Sequence, residues 1–343
     1  MNHSLLSQRL RYFYKDRLNR FCLMLLATIV TLSLLSDLIA NERPLLVYFK
    51  GKTYLPIIYS YPETTFDGDF KTETKYDDPV IVAKINQHGW MILPPIPYRY
   101  DSHDFSSSKP QPMAPNKQHL LGTDDQGRDI LARLLYGLRT SILFGVSLTA
   151  SSLVVGVAVG AICGYFGGIV DLIGQRLIEV WSGMPTLYVL IILSSFIQPD
   201  FFWLLFVMLL FGWIRFVGVV RAEFLRTRQL AYVQAAQILG VSNTMIIYRH
   251  ILPNSLVATI SLLPWHMISS IMSLTALDFL GFGMPIGSAS LGELVSQAKT
   301  NLHAPWIALS IFFALFLLLG LLVFLGEGLR DALDPRYRGT LHD

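Results

Sequence analysis

Residues 232–254 read YVQAAQILGVSNTMIIYRHILPN. Ala235, Ala236 and Leu239 recur at helical spacing among good helix formers, so the first part of the stretch predicts a short helix. Gly240 is suited to end that helix in the left-handed conformation, and Ser242-Asn243 to cap a second one. The stretch therefore reads as a helix–turn–helix with small residues on an exposed face, where a partner backbone would approach closely. Arg226, Arg228 and Arg249 ring it with positive charge. From periodicity alone, an ordinary amphipathic interfacial loop is an equal reading.

On both sides the chain becomes strongly apolar. Hydrophobic residues make up 52% of it and charged residues 15%, against about 25% charged in soluble domains, and its mean hydropathy is +0.47. Phe21–Ala40, Ser141–Tyr165, Leu177–Ile197, Phe201–Val220, Ser255–Leu277 and Trp306–Gly326 each approach the roughly 20 residues that cross a hydrocarbon core. They predict an all-α membrane protein of six transmembrane helices. Glu179 and Arg215 lie near or inside the ends of the third and fourth. A signal peptide competes for the first span, but Asp37 and the lack of a small-residue cleavage site favour a retained anchor.

Basic residues orient these spans. Arg9, Arg11, Lys15, Arg17 and Arg20 precede the first, Arg221, Arg226, Arg228 and Arg249 surround the hairpin, and Arg330, Arg336 and Arg338 close the chain. Lys299 is the only Lys or Arg in 278–305. By the positive-inside rule, both termini and the hairpin are cytoplasmic and 278–305 is outside. The net charge of +3 is then mostly topology, and no nucleic-acid partner is expected.

The predicted organisation is a basic cytoplasmic segment (1–20), a first transmembrane helix (21–40), a periplasmic insert (41–135), a transmembrane domain (136–326) carrying the hairpin at 229–253, and a cytoplasmic tail (327–343). In the insert, the runs starting at Lys52 and Pro79 read as short strands, and Pro94–Pro97 as extended chain. Its aromatics, Tyr54, Tyr59, Tyr61, Trp90, Tyr98 and Tyr100, offer rigid contact area to a partner or passing cargo, or else pack as a cap. Cys22 and Cys163 fall within spans and read as reduced, packed thiols.

The insert ends in Leu121-Gly122-Thr123-Asp124-Asp125-Gln126-Gly127-Arg128-Asp129. Gly122 and Gly127 permit tight turns, and the carboxylates can bond Arg128 and nearby amides. A metal site is the sharper alternative, against which stand the cation supplied by Arg128 and the lack of a His or Cys to complete a ligand set. Gly145, Ser147, Gly156, Gly160 and Gly164 read as close-packing positions between helices. Arg215 reads either as a residue of a substrate path or as a side chain snorkelling to the cytoplasmic interface. The scattered histidines read as structural.

The spacing Ala235-Ala236-x3-Gly240-x10-Ile251-Leu252-Pro253 resembles the EAA loop of bacterial ABC importer permeases, with Gln234 where that family usually has Glu and His250 where Ile is frequent. Gly122, Thr123, Asp124, Gly127, Arg128 and Asp129 match the LGTDxxGRD signature of its dipeptide, oligopeptide and nickel class. Gly164-Tyr-Phe-Gly-Gly with Asp171 and Arg176, Asp278-Phe-Leu-Gly281-Phe-Gly283, and Asp331-Ala-Leu-Asp-Pro-Arg336 are similar to further segments of that class. The long insert resembles most the microcin C and oligopeptide importer permease. The resemblance implies a type I importer fold and a translocation path for peptides or peptide-like compounds, formed with a second permease. It also implies a periplasmic binding protein and two cytosolic ATPase subunits, or one fused, which would bind ATP and Mg and dock on the hairpin. The chain has no Gly-x4-Gly-Lys-Ser/Thr loop and no catalytic constellation, so it is expected to be a transport subunit without its own ATPase site. A membrane enzyme or receptor with a periplasmic sensor is the alternative.

Overall fold

The computed structural model describes residues 13–104, 110–197, 199–285 and 287–333. The expected charges at Arg9, Arg11, Arg336 and Arg338 and the ending Asp334-Pro335-Arg336 lie outside them. Helix α1 (Arg17–Leu34) is capped by Asp16, whose side chain accepts from the Leu18 amide. A small unit follows, with strands β1 (Leu46–Phe49) and β2 (Lys52–Tyr54), helix α2 (Pro79–His88) and strand β3 (Gly89–Ile92). The sheet order is β2-β1-β3, antiparallel throughout.

The run starting at Pro79, expected to be a strand, is a helix. Asp78 caps it by accepting from the Val80 amide at 2.8 Å, and Pro79 stands in the first turn, where a missing N–H costs nothing. Ile81 and Ile85, one turn apart, are its buried face. They join Val47, Phe49, Phe66 and Tyr76 in a separate small core.

The long helices begin with α3 (Ile130–Phe166, 37 residues). It starts within the stretch assigned to the insert (41–135) and runs well beyond the apolar stretch read at Ser141–Tyr165. Then come α4 (Gly168–Ser182), α5 (Thr186–Phe196), α6 (Phe201–Gly212), α7 (Ile214–Thr227), α8 (Ala231–Ile238), α9 (Leu252–Ile260), α10 (Leu263–Phe279), α11 (Leu291–Thr300) and α12 (Pro305–Leu333). Among the described residues four spans are long and apolar enough to cross a membrane: α1, α3, α6 with α7 as Phe201–Thr227, and α12. Two more result if each bent pair counts as one span, α4 with α5 at 65° and the stretch Asn243–Phe279 at 55°. Each of the stretches expected as the third and fifth spans is therefore interrupted by a bend, as in a broken span or a re-entrant loop. Pro185 precedes α5 and Pro264 stands in the first turn of α10. Each lacks the amide that would continue the ladder of the preceding helix.

Helix α3 is the central pillar, packed most extensively along α7 and also against α10, α6 and α1. In lipid, helix association depends on close packing more than on apolar burial. A Cβ on Gly156 would lie 2.6 Å from the Trp213 carbonyl oxygen, one on Gly160 2.9 Å from Val220 Cβ, and one on Gly164 2.5 Å from Phe224 Cβ. These three glycines form the seam through which α7 reaches the α3 backbone, as their spacing led one to expect.

Candidate functional site

The hairpin is a helix–turn–helix closed by a specific cap. Gly240 has φ +75°, its amide donates to the Gln237 carbonyl at 3.0 Å, and the Val241 amide donates to the Ala236 carbonyl at 3.1 Å. This is the Schellman pattern, in which a left-handed residue satisfies the last carbonyls of a helix. Ser242 then caps Asn243–Met245, a π turn spans Ile246–Ile251, and α9 begins at Leu252 with Pro253 in its first turn.

The inner face of the hairpin belongs to the body of the chain. Val233, Ala236, Ile246 and Ile251 are buried with Ala161, Tyr165, Val220 and Phe224, and the Tyr165 hydroxyl donates to Asn243 Oδ1 at 2.7 Å. Two expectations change as a result. Ala236, read as part of an exposed face, is inside, because Val233 and Ala236 are three apart and share one stripe. Arg228, read as surface charge, is half-buried and donates to the Tyr165 carbonyl at 3.0 Å at the end of α3. The outer face carries Gln234 and Ala235, and its most exposed apolar side chains are Ile238 (87%) and Leu239 (81%) at the tip. Ile238 was missed in the sequence because it falls off the helical stripe, which is what places it outward. Arg221 holds Asp171 through two hydrogen bonds and fixes α4 beside this region.

The segment around Gly122–Asp129 forms a buried charge clasp. Asp124 Oδ1 accepts from the amides of Gln126 and Arg128, both at 2.9 Å, and Oδ2 accepts from Arg128 Nε at 2.7 Å. Asp129 Oδ1 caps α3 through the Ala132 amide at 2.8 Å. Thr123 is buried, and its Oγ1 accepts from the Met113 amide at 2.8 Å. Gly122 and Gly127 both have positive φ. Three members lay outside the sequence reading. Glu293 of α11 accepts from Arg128 at 2.8 Å and pairs with Arg133 at 3.0 Å. His119 lies 2.9 Å from Asp129 Oδ2 and 3.2 Å from Asp104 Oδ2. A histidine thus does stand beside these carboxylates, contrary to the reason given against a metal, but Arg128, Arg133 and His119 occupy them. Burial pulls the His119 pKa down; hydrogen bonds to Asp129 and Asp104 outweigh it and hold the value above 6.5. Burial first and the Asp124 charge second raise Asp125.

Asp278, Gly281 and Gly283 end α10 beside this clasp. The Gly281 amide donates to the Asp278 carbonyl at 3.0 Å and the Phe282 amide to the Leu277 carbonyl at 2.9 Å, a second Schellman cap. The Asp278 side chain accepts from the Met284 amide at 2.7 Å and from the Ser290 hydroxyl. A Cβ on Gly283 would collide with it.

The family model described as binding-protein-dependent transport system inner membrane component matches residues 156–339. The chain belongs to that family. It is 52% identical to the inner membrane ABC transporter permease protein YejE of Escherichia coli K12, over 94% of this chain and 95% of that protein. It is 46% identical to the peptidoglycan transport system permease protein YejE of Agrobacterium fabrum, over 96% and 92% of the two chains. With the oligopeptide transport system permease protein OppC of Bacillus subtilis the figures are 34%, 72% and 81%. The chain is a permease component of the ABC peptide importer family, multi-pass in the inner membrane, which in general works with a partner permease, an ATPase and a binding protein. Members are transport subunits rather than enzymes, so the enzyme-or-receptor alternative is set aside.

Proposed function

We propose that this permease, with a second one, forms the path for peptides or peptide-like compounds such as microcin C, and that residues 229–253 transmit closure of two ATPase subunits, or one fused chain, to the helices. Peptide cargo is supported by the names of the relatives, which include peptidoglycan, oligopeptide and dipeptide transport systems. Six crossings are supported by the apolar runs if each bent pair counts as one span, and the cytoplasmic termini and periplasmic insert by the basic-residue asymmetry.

One observation carries the coupling role. The hairpin is anchored to α3 and α7 by its inner face, while Ile238 and Leu239 project from the opposite side. An exposed apolar pair on a rigidly held tip suits insertion into a groove of a partner. Gln234, Ala235 and Gly240 shape that contact, and Ile251, Leu252 and Pro253 carry the displacement into α9 and α10. ATP and Mg bind the partner ATPase, not this chain.

Co-purification of the importer tests this. Leu239→Asp should release the ATPase subunits while the second permease stays bound. Retention of the ATPase at wild-type level by both Leu239→Asp and Ile238→Asp would overturn the docking role. Ala236→Glu is a poorer probe, since it places a charge in the chain's own core.

A further inference from the structure

Arg215 stands inside the 27-residue span Phe201–Thr227, and its Nη1 donates to Ser269 Oγ of α10 at 2.9 Å. Side chains on a helix tilt toward its N-terminus, so Arg215 leans toward the Phe201 end, away from Arg221 and the hairpin. The bond to Ser269 of α10 ties it there, which favours the path reading of this charge over snorkelling to the cytoplasmic side.

Around the guanidinium lies a cavity of about 250 Å3, whose polar lining is Thr186, Arg215, His266, Ser269, Ser270 and Ser273. His266 is occupied by the scaffold. Its Nε2 faces the Gly212 carbonyl at 3.1 Å, which can only accept, so Nε2 carries the proton and Nδ1 accepts from Thr149 at 3.2 Å. Among the described residues, Arg215 is the one charged residue lining the cavity. Beyond Ser269, its donors have no protein acceptor among the described residues. The acids of the neighbouring helices are committed elsewhere, Asp171 to Arg221, Glu179 to Arg176 and Asp278 to Ser290. Arg215 is exposed on this wall and a guanidinium stays charged, so within a span its charge must be met by water or by an anion. At the same wall α5 starts at Thr186 with no side-chain cap, the Tyr188 and Val189 amides of its first turn donating to the Pro185 carbonyl, and the positive end of its dipole faces that wall.

We propose that this cavity is a carboxylate subsite of the translocation path, where Arg215 and Ser269 hold the C-terminal carboxylate of a passing peptide. The proposal rests on the peptide reading above and names the part of the cargo that is read. Peptides of different sequence share one C-terminal carboxylate, so a fixed guanidinium recognises them without regard to side chains. Its planar fork matches a carboxylate with two parallel hydrogen bonds. Its exposure keeps the hold weak enough for release.

The test uses the assembled importer without its binding protein, in a Cys22→Ala, Cys163→Ala background carrying Ser273→Cys, and follows the rate of maleimide labelling. Trialanine at millimolar concentration should slow labelling at least threefold, and trialanine amide should not. Arg215→Gln should abolish the protection and Arg215→Lys should keep part of it. Equal protection by acid and amide, protection that survives Arg215→Gln, or no protection at all overturns the subsite. Failure of Ser273→Cys to react at all would also overturn it, by placing this face against the second permease. ATP-driven trialanine uptake by the wild-type importer with its binding protein is measured in parallel. Uptake without protection sinks the subsite alone, whereas absence of uptake for peptides in general sinks the peptide reading.

Discussion

The Asp124 carboxylate is fully buried; it accepts from two amides and from Arg128 Nε, and Arg133 Nε stands 3.6 Å away as a second cation. With Glu293 it balances Arg128 and Arg133, two positive against two negative charges. Removing one member of such a set leaves buried charge unpaired, at about 3–5 kcal/mol. Asp124→Ala should therefore lower the thermal stability of the purified importer sharply, whereas Asp125→Ala, on the outer side of the turn, should change it little. Equal effects would contradict the clasp. His119 gives a pH signature. Its folded pKa is raised, so the stability it contributes is fully present below the ordinary imidazole value of 6.5 and is lost as pH rises through the folded value. Thermal melts should show wild type losing more stability than His119→Gln over that rise; parallel curves would remove the charged histidine from the account. The residues with local partners, Gly122 to Asp129, were legible from their spacing. Glu293 and His119 were not, since Glu293 meets Arg128 across 165 positions and no periodicity links them.

At the scale of elements, the hairpin was readable because every device in it is local, namely a left-handed glycine, a serine cap and a helical stripe. Which face of it turns inward was not, because that depends on α3 and α7. Gly240 has open space around it, so Gly240→Val should act only through backbone strain, about 1–2 kcal/mol, and should reduce coupled uptake without blocking membrane insertion. The run at Pro79 shows a different failure, as its β-branched residues suggested a strand while the Asp78-Pro79 start signal favoured a helix. The aromatics of the insert divide between the two readings, contact area and packed cap. Tyr54 and Tyr61 pack on Phe66, Tyr98 on His119 and Tyr100 on Tyr136, which leaves Tyr59 and the stacked pair Tyr48 and Trp90 exposed. Phe66 is central to that core, and Phe66→Ala should cost about 3–5 kcal/mol. Protease should then cut the insert in membranes while α3 to α12 stay intact. Wild-type resistance would mean that the small core does not hold the insert together.

Over the whole molecule, the four to six candidate spans were legible as apolar runs, but the bends within two of those runs were not, since composition does not report the direction of a chain after Pro185 or Pro264. The orientation makes a plain prediction. In cells, Ser60→Cys in the insert should react with an impermeant thiol reagent from the periplasm, and Ser242→Cys on the hairpin should not. Ser288 is unsuited as an outside probe because its hydroxyl is buried and its carbonyl accepts from Arg133. The central claim, that the hairpin tip converts ATPase closure into peptide passage, is tested most directly in proteoliposomes of the complete importer with its binding protein. Wild type should accumulate a labelled oligopeptide only with ATP, and Leu239→Asp, inserted and paired with the second permease to the same extent, should lose at least tenfold of that uptake. Undiminished ATP-driven uptake by Leu239→Asp and Ile238→Asp alike would contradict it.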